Sequence, residues 1–436
     1  MAIPHTLEII ELPNGARGLL VNAPGADVIS YSIHFRSGSD KATRAYPFQV
    51  AHTLEHIVEA GPNTSSYPKK SDYIQDLQKN GAWRNAFTSE FGITYIGDCI
   101  SDELLRILTL RLSAMEDPKL SDDILSSESG NVMEEMRQRV ADYARLAIAL
   151  SRKTLSNGAW QTSKEAMADA QSVTLDDVSD YYKATHTADN MRFMVVGDIE
   201  NLKDSIIKIF GASGLPNGQR LSGPAVPSAA TDTYNYDERP SLENVFTNFA
   251  MAIPRQLKAK EIAAMRIINN LLCNSWDSRI LGKAREAGLC YSMRGYVESL
   301  KTQTIWAFDT PIGPKNASRF FVLMSDAFND ITASGVTDLE LRKAKYFLIG
   351  QSKKNGQTTQ ELLNMYSEEY FGLDTITTPQ EKIDLIDSVS SNDISKLVKE
   401  FVVSESRVFS GVGSIDEAEF NKQHNSLINN LKIVSS

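Results

Sequence analysis

One internal repeat constrains this chain more than any other feature. Displacing the sequence by 216 residues brings Ser172-Val173-Thr174 onto Ser388-Val389-Ser390, and Asp177-Val178 onto Asp393-Ile394. The same offset places Val196-Gly197-Asp198-Ile199-Glu200 on Val412-Gly413-Ser414-Ile415-Asp416, and Leu120-Ser121-Asp122 on Val336-Thr337-Asp338. A single match is weak, but one offset held across separated segments predicts two copies of a common unit. The 436 residues suit two domains of ordinary size. The expected domains are 1–212 and 236–436. They are joined by a linker over 213–235, where Pro216, Gly218, Gly223, Pro224 and Pro227 cluster.

Within each copy the pattern reads as α+β: a strand, a helix, more strands, further helices and a final strand. Val28–Phe35 and Met191–Val196 carry strand patterns. The stretch from Pro47 to Glu59 is helical, with Gly61-Pro62 to end it. Ser121-Asp122-Asp123 opens another helix, expected to run towards Ala149 despite Gly130, which costs about 1 kcal/mol relative to Ala.

Composition narrows the function. With 45 basic and 55 acidic residues the net charge is −10, which disfavours a nucleic-acid partner, since phosphate backbones are held by clustered Lys and Arg. No apolar run approaches the roughly 20 residues of a membrane span. The first residues show neither a basic nor an apolar leader region, so a cytoplasmic location is expected, or a periplasmic one if a signal peptide has been removed. Cys99, Cys273 and Cys290 are too few for a disulfide framework or a thiolate cluster and read as small buried hydrophobes.

The chemistry concentrates in His52-Thr53-Leu54-Glu55-His56. Imidazoles at i and i+4 leave a helix on one face, one turn apart, so both can reach a single metal ion. Glu55 lies beside them, placed to take a proton from water at an open coordination position. This His-x-x-Glu-His order is the inverzincin pattern. A catalytic zinc needs a third protein ligand, and the second helix supplies Glu128, Glu134 and Glu135 as rivals. Glu128 and Glu135 share a face, while Glu134 points about 100° away, towards solvent. Of the other histidines, His34 ends a strand and reads as structural. His5, His186 and His424 have no spacing that suggests a site.

These residues resemble the pitrilysin/insulinase family of inverzincin metallopeptidases, and the resemblance covers nearly the whole chain. It rests on the His52–His56 motif and the Glu-x6-Glu pair about eighty residues on. It also takes in Gly81-Ala82-Trp83-Arg84-Asn85-Ala86-Phe87-Thr88 with Thr94-Tyr95, and the Val-Val-Gly-Asp end of the first copy. The resemblance implies Glu135 as the third zinc ligand and Glu128 as its supporting partner. It also implies two homologous α+β domains facing each other as a clam-shell, each an antiparallel sheet flanked by helices. Asn85, Ala86, Phe87 and Thr88 would then form an edge that lends main-chain hydrogen bonds to a peptide. The alternative is an ordinary strand entry with Asn85 in a turn.

At the repeat offset, His52, Glu55 and His56 fall on Ile268, Leu271 and Leu272, and Glu135 falls on Gln351, so the second copy holds no metal site. That copy carries Arg285-Glu286-Ala287-Gly288-Leu289-Cys290-Tyr291, similar to the stretch whose Arg and Tyr reach substrate in the family. The interval between Arg285 and Tyr291 is one residue shorter than the family pattern. The alternative for the pair is a surface Arg and a half-buried core Tyr. Together the resemblance implies zinc-dependent hydrolysis of short or unfolded peptides in an enclosed chamber, with Glu55 as general base, Tyr291 on the oxyanion and Arg285 on the substrate main chain. Both halves being present points to a homodimer. Two other readings are a non-catalytic scaffold and a processing-peptidase subunit that needs a partner.

Overall fold

The computed structural model of the chain describes residues 2–39, 46–158, 160–222 and 230–431; the centre of the expected linker, 223–229, lies outside them. Among the described residues the first sheet has six strands: β1 (Thr6–Glu11), β2 (Arg17–Asn22), β3 (Val28–Phe35), β4 (Trp83–Thr88), β5 (Ile93–Ile100) and β6 (Met191–Gly197). Their order is β1-β2-β6-β3-β5-β4, antiparallel throughout except for the parallel pair β2–β6. The second sheet comprises β7 (Asp232–Glu238), β8 (Val245–Ile253), β9 (Arg294–Ser299), β10 (Thr304–Ile312) and β11 (Ser406–Gly413), in the order β7-β11-β8-β10-β9. It too has one parallel pair, β7–β11. Each fold is α+β, an antiparallel-dominated sheet with helices on its faces.

The repeat is visible in the details that end each copy. Thr174 caps the helix Leu175–Thr185 in a capping box with Asp177, and Ser390 caps Ser391–Val402 in the same way with Asp393. The strands that follow, β6 and β11, are buried along their whole length. Central strands buried on both faces need apolar cover on both. On β3, Ile29, Tyr31, Ile33 and Phe35 enter the main core under the first helix, while Ser30 faces the other way and bonds the Thr359 hydroxyl at 2.9 Å.

That second face is covered by the helix Thr359–Leu373, whose Leu362, Leu363, Tyr366 and Phe371 pack with Leu19, Val21, Met194 and Val196. In the other sheet, Tyr143–Leu155 covers β8 and β11. The compact units are therefore not the contiguous halves 1–212 and 236–436. One unit is Met1–Arg137, Glu165–Pro224 and Lys353–Thr377; the other is Gln138–Lys164, Ala225–Ser352 and Thr378–Ser436. Each copy gives one helix to the other unit. The single helix expected from Ser121 towards Ala149 is accordingly two, Asp122–Val140 and Tyr143–Leu155. The break falls where Asp142 leaves the helical conformation and accepts from the Arg145 N–H at 2.9 Å.

Asp374 closes the covering helix in the left-handed region (φ 55°) and holds Arg36 and the buried Arg192 at 2.9 and 2.6 Å. Among the described residues no helix is long and apolar enough to cross a membrane. Cys99 and Cys273 are buried, Cys290 is partly so, and all three are free thiols.

Candidate metal centre

The helix Val50–Glu59 carries the His-x-x-Glu-His motif and is buried along most of its length. Its start is fixed by Asp169, which accepts from the Gln49 N–H at 2.7 Å. Its end is forced by Gly61, at φ 97°, where an added Cβ would strike the Tyr73 ring. This helix packs against the helix side of β4. His52 and Glu55 are only 7% and 6% exposed, an expensive placement for polar groups unless partners await them.

Those partners come from Asp122–Val140. Glu135 Oε2 lies 3.2 Å from His52 Nε2 and 3.5 Å from His56 Nε2. One ligand atom from each of the three side chains falls within 4.8 Å of the others. Two ligands about 2.1 Å from a tetrahedral ion sit roughly 3.4 Å apart, so these two separations have the size of a zinc coordination edge. Two imidazole nitrogens and one carboxylate oxygen are also a donor set that suits zinc and leaves a fourth position free. The residues present fit the ion.

Glu128 stands behind this trio, buried, with its carboxylate 3.4 Å from His56 Nδ1. It also accepts from Lys70 Nζ at 2.7 Å and from Asn131 Nδ2 at 2.9 Å. Burial pushes Glu128 up, but the hydrogen bonds from His56, Lys70 and Asn131 outweigh it and hold the carboxyl at about 2. Burial likewise pushes His56 down, yet Glu128 and Glu135 raise it to about 9, so the metal-free imidazole keeps its proton at neutral pH. A metal ion held by His56 would have to displace that proton. Glu134 points to solvent and pairs with Arg137 at 2.8 Å, as its angular position predicts.

Glu55 accepts from the Thr88 hydroxyl at 2.6 Å. Thr88 ends β4, and β4 is the edge of the six-stranded sheet. Among the described residues, Asn85, Ala86, Phe87 and Thr88 therefore lie on a strand with no strand partner on one side, and Asn85 is a strand residue, not part of a turn. Burial alternates along it: Arg84, Ala86 and Thr88 are partly covered, while Trp83, Asn85 and Phe87 are exposed.

Several neighbours went unread in the sequence. Glu59 binds the guanidiniums of both Arg84, on β4, and Arg111, the latter at 2.6 Å, tying the edge strand to the metal-motif helix. Its signal was available, since Glu59 continues the 52, 55, 56 face at i+7. Burial and the charge of Arg111 pull Arg84 down to about 10. Lys70 had no spacing to reveal it.

In the second unit, Arg285 lies with its guanidinium 4.0 Å from the Trp276 ring centroid and 4.5 Å from that of Tyr291. It donates to the Tyr291 carbonyl at 2.8 Å. Tyr291 is 78% exposed, so it is not a half-buried core residue, and Trp276 is as open.

The remaining histidines are structural in their surroundings. His34 bonds Thr94 at 2.8 Å and stacks on Phe371. His186 stacks on Phe35 in the core, and His5 bonds the Tyr366 hydroxyl. His424 lies 3.6 Å from Asp232.

Comparison with known proteins agrees with this fold. A family described as "Insulinase (Peptidase family M16)" matches residues 17–166, and "Peptidase M16 inactive domain" matches 172–348. The chain belongs to the pitrilysin/insulinase (M16) family. An uncharacterized zinc protease of Streptomyces coelicolor is 20% identical over 97% of this chain and 93% of its own length. A Helicobacter pylori protein described as a non-peptidase homologue is also 20% identical, over 75% of this chain and 76% of its own. Among solved structures, a protease from Helicobacter pylori superposes with a TM-score of 0.80 at 17% identity, over 94% of this chain and 99% of its own. At that identity the likeness is one of fold.

Proposed function

We propose that this chain is a zinc metalloendopeptidase acting on short or unfolded peptides. The observation that carries the reading is the convergence of His52, His56 and Glu135 within 4.8 Å, with Glu55 one helical step away and bonded to the free edge strand. A zinc ion bound by these three residues would polarise the scissile carbonyl and make water acidic near neutral pH. Glu55 takes the proton of the attacking water and passes it to the leaving amine. Glu128 orients the His56 ring from behind. The edge formed by Asn85, Ala86, Phe87 and Thr88 aligns the peptide main chain without reading its sequence.

Tyr291 would donate to the developing oxyanion and Arg285 would hold substrate carbonyls, as in the family. A homodimer and a cytoplasmic location complete the reading. The relative described as a non-peptidase homologue supports a second one, a scaffold or substrate-binding subunit. Against it stands the complete set of motif residues. Glu55→Gln separates the two: zinc should remain bound while cleavage of an unstructured peptide library ceases. Cleavage at the wild-type rate removes the general-base role, and a wild-type protein that binds zinc yet cleaves nothing favours the scaffold.

A further inference from the structure

The first unit contains a cavity of about 310 Å³ on the face of the sheet opposite the metal-motif helix. Its floor includes His34 and Thr94, its wall Phe87 and Phe91, and its roof Leu363 and Phe371 of the covering helix. The cavity lies beside the end of β4, and Phe87 belongs to both. The next residue along, Thr88, points the other way and bonds Glu55. Alternation along one strand therefore links the two places: the catalytic face and the cavity face differ by a single residue step.

A peptide that pairs with the free edge of β4 must alternate in the same way. When one of its residues sits against Glu55, the neighbouring side chain is directed to the cavity face. Resting on the peptidase reading above, we propose that this cavity is a specificity pocket for an uncharged aromatic or long aliphatic side chain of the peptide, adjacent in sequence to the residue held at Glu55.

The chemistry of the lining selects for such a side chain. Burial, with the charges of Arg192 and Arg36, holds His34 down to about 3, so its ring is neutral. Arg36 is committed to Asp374 and to the carbonyls of Phe371 and Gly372, leaving it occupied on the covering helix. Glu368, exposed at the rim, repels an acidic side chain. A charged group carried past the rim would lose its hydration, since Glu368 stays exposed outside and Arg36 is already held by Asp374. An apolar group would exchange water for three phenyl rings and a leucine. Apolar pockets of this kind discriminate by roughly 10- to 200-fold.

The test uses binding, so that it stands apart from turnover. Glu55→Gln protein is titrated with fluorescein-labelled alanine-rich decapeptides in which one Phe, Leu or Asp is walked along the chain, and anisotropy is read. One position should bind about tenfold more tightly with Phe or Leu than with Ala, and more weakly with Asp. Ser367→Phe, a half-buried substitution in the lining, should fill the space and erase that preference while the all-Ala peptide binds within about twofold. Phe91→Ala, on the loop after β4, should erode the preference without filling anything. A preference that survives both variants, or no positional preference at all, overturns the pocket. Hydrolysis by wild-type protein is measured separately: a preference without hydrolysis keeps the pocket and removes the peptidase, and hydrolysis without a preference does the reverse.

Discussion

The two copies of the repeat share a sheet plan and a capping pattern, yet they use one helix for opposite ends. In the first, His52 and Glu55 are polar groups kept from water and His56 is partly covered, tolerable because Glu135, Glu128 and Thr88 meet them. In the second, Ile268, Leu271 and Leu272 stand at the matching positions and are packed into the core of their unit. The acidic helix diverges likewise: Glu128 becomes the buried Ala344, and Glu135 becomes the exposed Gln351. A buried polar constellation is stable only with its partners in place, and the second copy, which lacks them, has apolar side chains there. Scaffold and site are thus separable in this protein.

The largest expected effect comes from removing a metal donor. Glu135→Gln should weaken zinc affinity by more than about a hundredfold, beyond the loss seen for supporting residues. Competition with a zinc chelator measures it, and near-normal affinity would move the third ligand elsewhere. The converse experiment belongs to the second copy. Leu272→His puts an unpartnered imidazole where the first copy has His56, and it should cost about 3 kcal/mol of stability with no gain in zinc. Thermal unfolding checks this, and a neutral effect would mean that the second helix still has room for a polar site.

Glu128→Ala should leave the three donors in place but lower zinc affinity by roughly 10- to 100-fold, through a looser His56 ring. Unchanged affinity would demote the contact to packing.

The smallest effect is in acid. His186 matches Val402 of the second copy, and both are buried. Burial holds the folded-state pKa of His186 at about 3, against 6.5 when unfolded. Between those values the unfolded chain binds the extra proton, so stability is full above pH 6.5 and falls as pH drops towards 3. At pH 6 the loss is on the order of 1 kcal/mol. His186→Val should remove that share of the pH dependence in denaturant titrations at pH 7 and pH 6, and an unaltered slope would place the ring in contact with water.

How much of this was open to inspection in the sequence follows from the range of each interaction. The i, i+4 histidines, the capping boxes at Thr174 and Ser390, and β3 are local, and their signals lie within a few residues. Selecting Glu135 over Glu128 and Glu134 needed the family resemblance, because helical geometry alone leaves two carboxylates on one face. The exchange of Tyr143–Leu155 and Thr359–Leu373 between units could not be read at all. Each helix is amphipathic towards a sheet whose strands are far away along the chain, and no periodicity says which sheet it will cover. The Glu59, Arg84 and Arg111 cluster is hidden for the same reason: its members are 25 and 52 residues from Glu59 and meet only in the folded unit.

The central claim is that the first copy alone binds one ion through two histidines and Glu135. Elemental analysis of the purified chain, dialysed against trace zinc, measures it most directly. The account predicts one zinc per chain in the wild type and in Leu272→His, and none in His52→Ala/His56→Ala. A wild-type chain that emerges without zinc, or a double variant that retains a full equivalent, would contradict it.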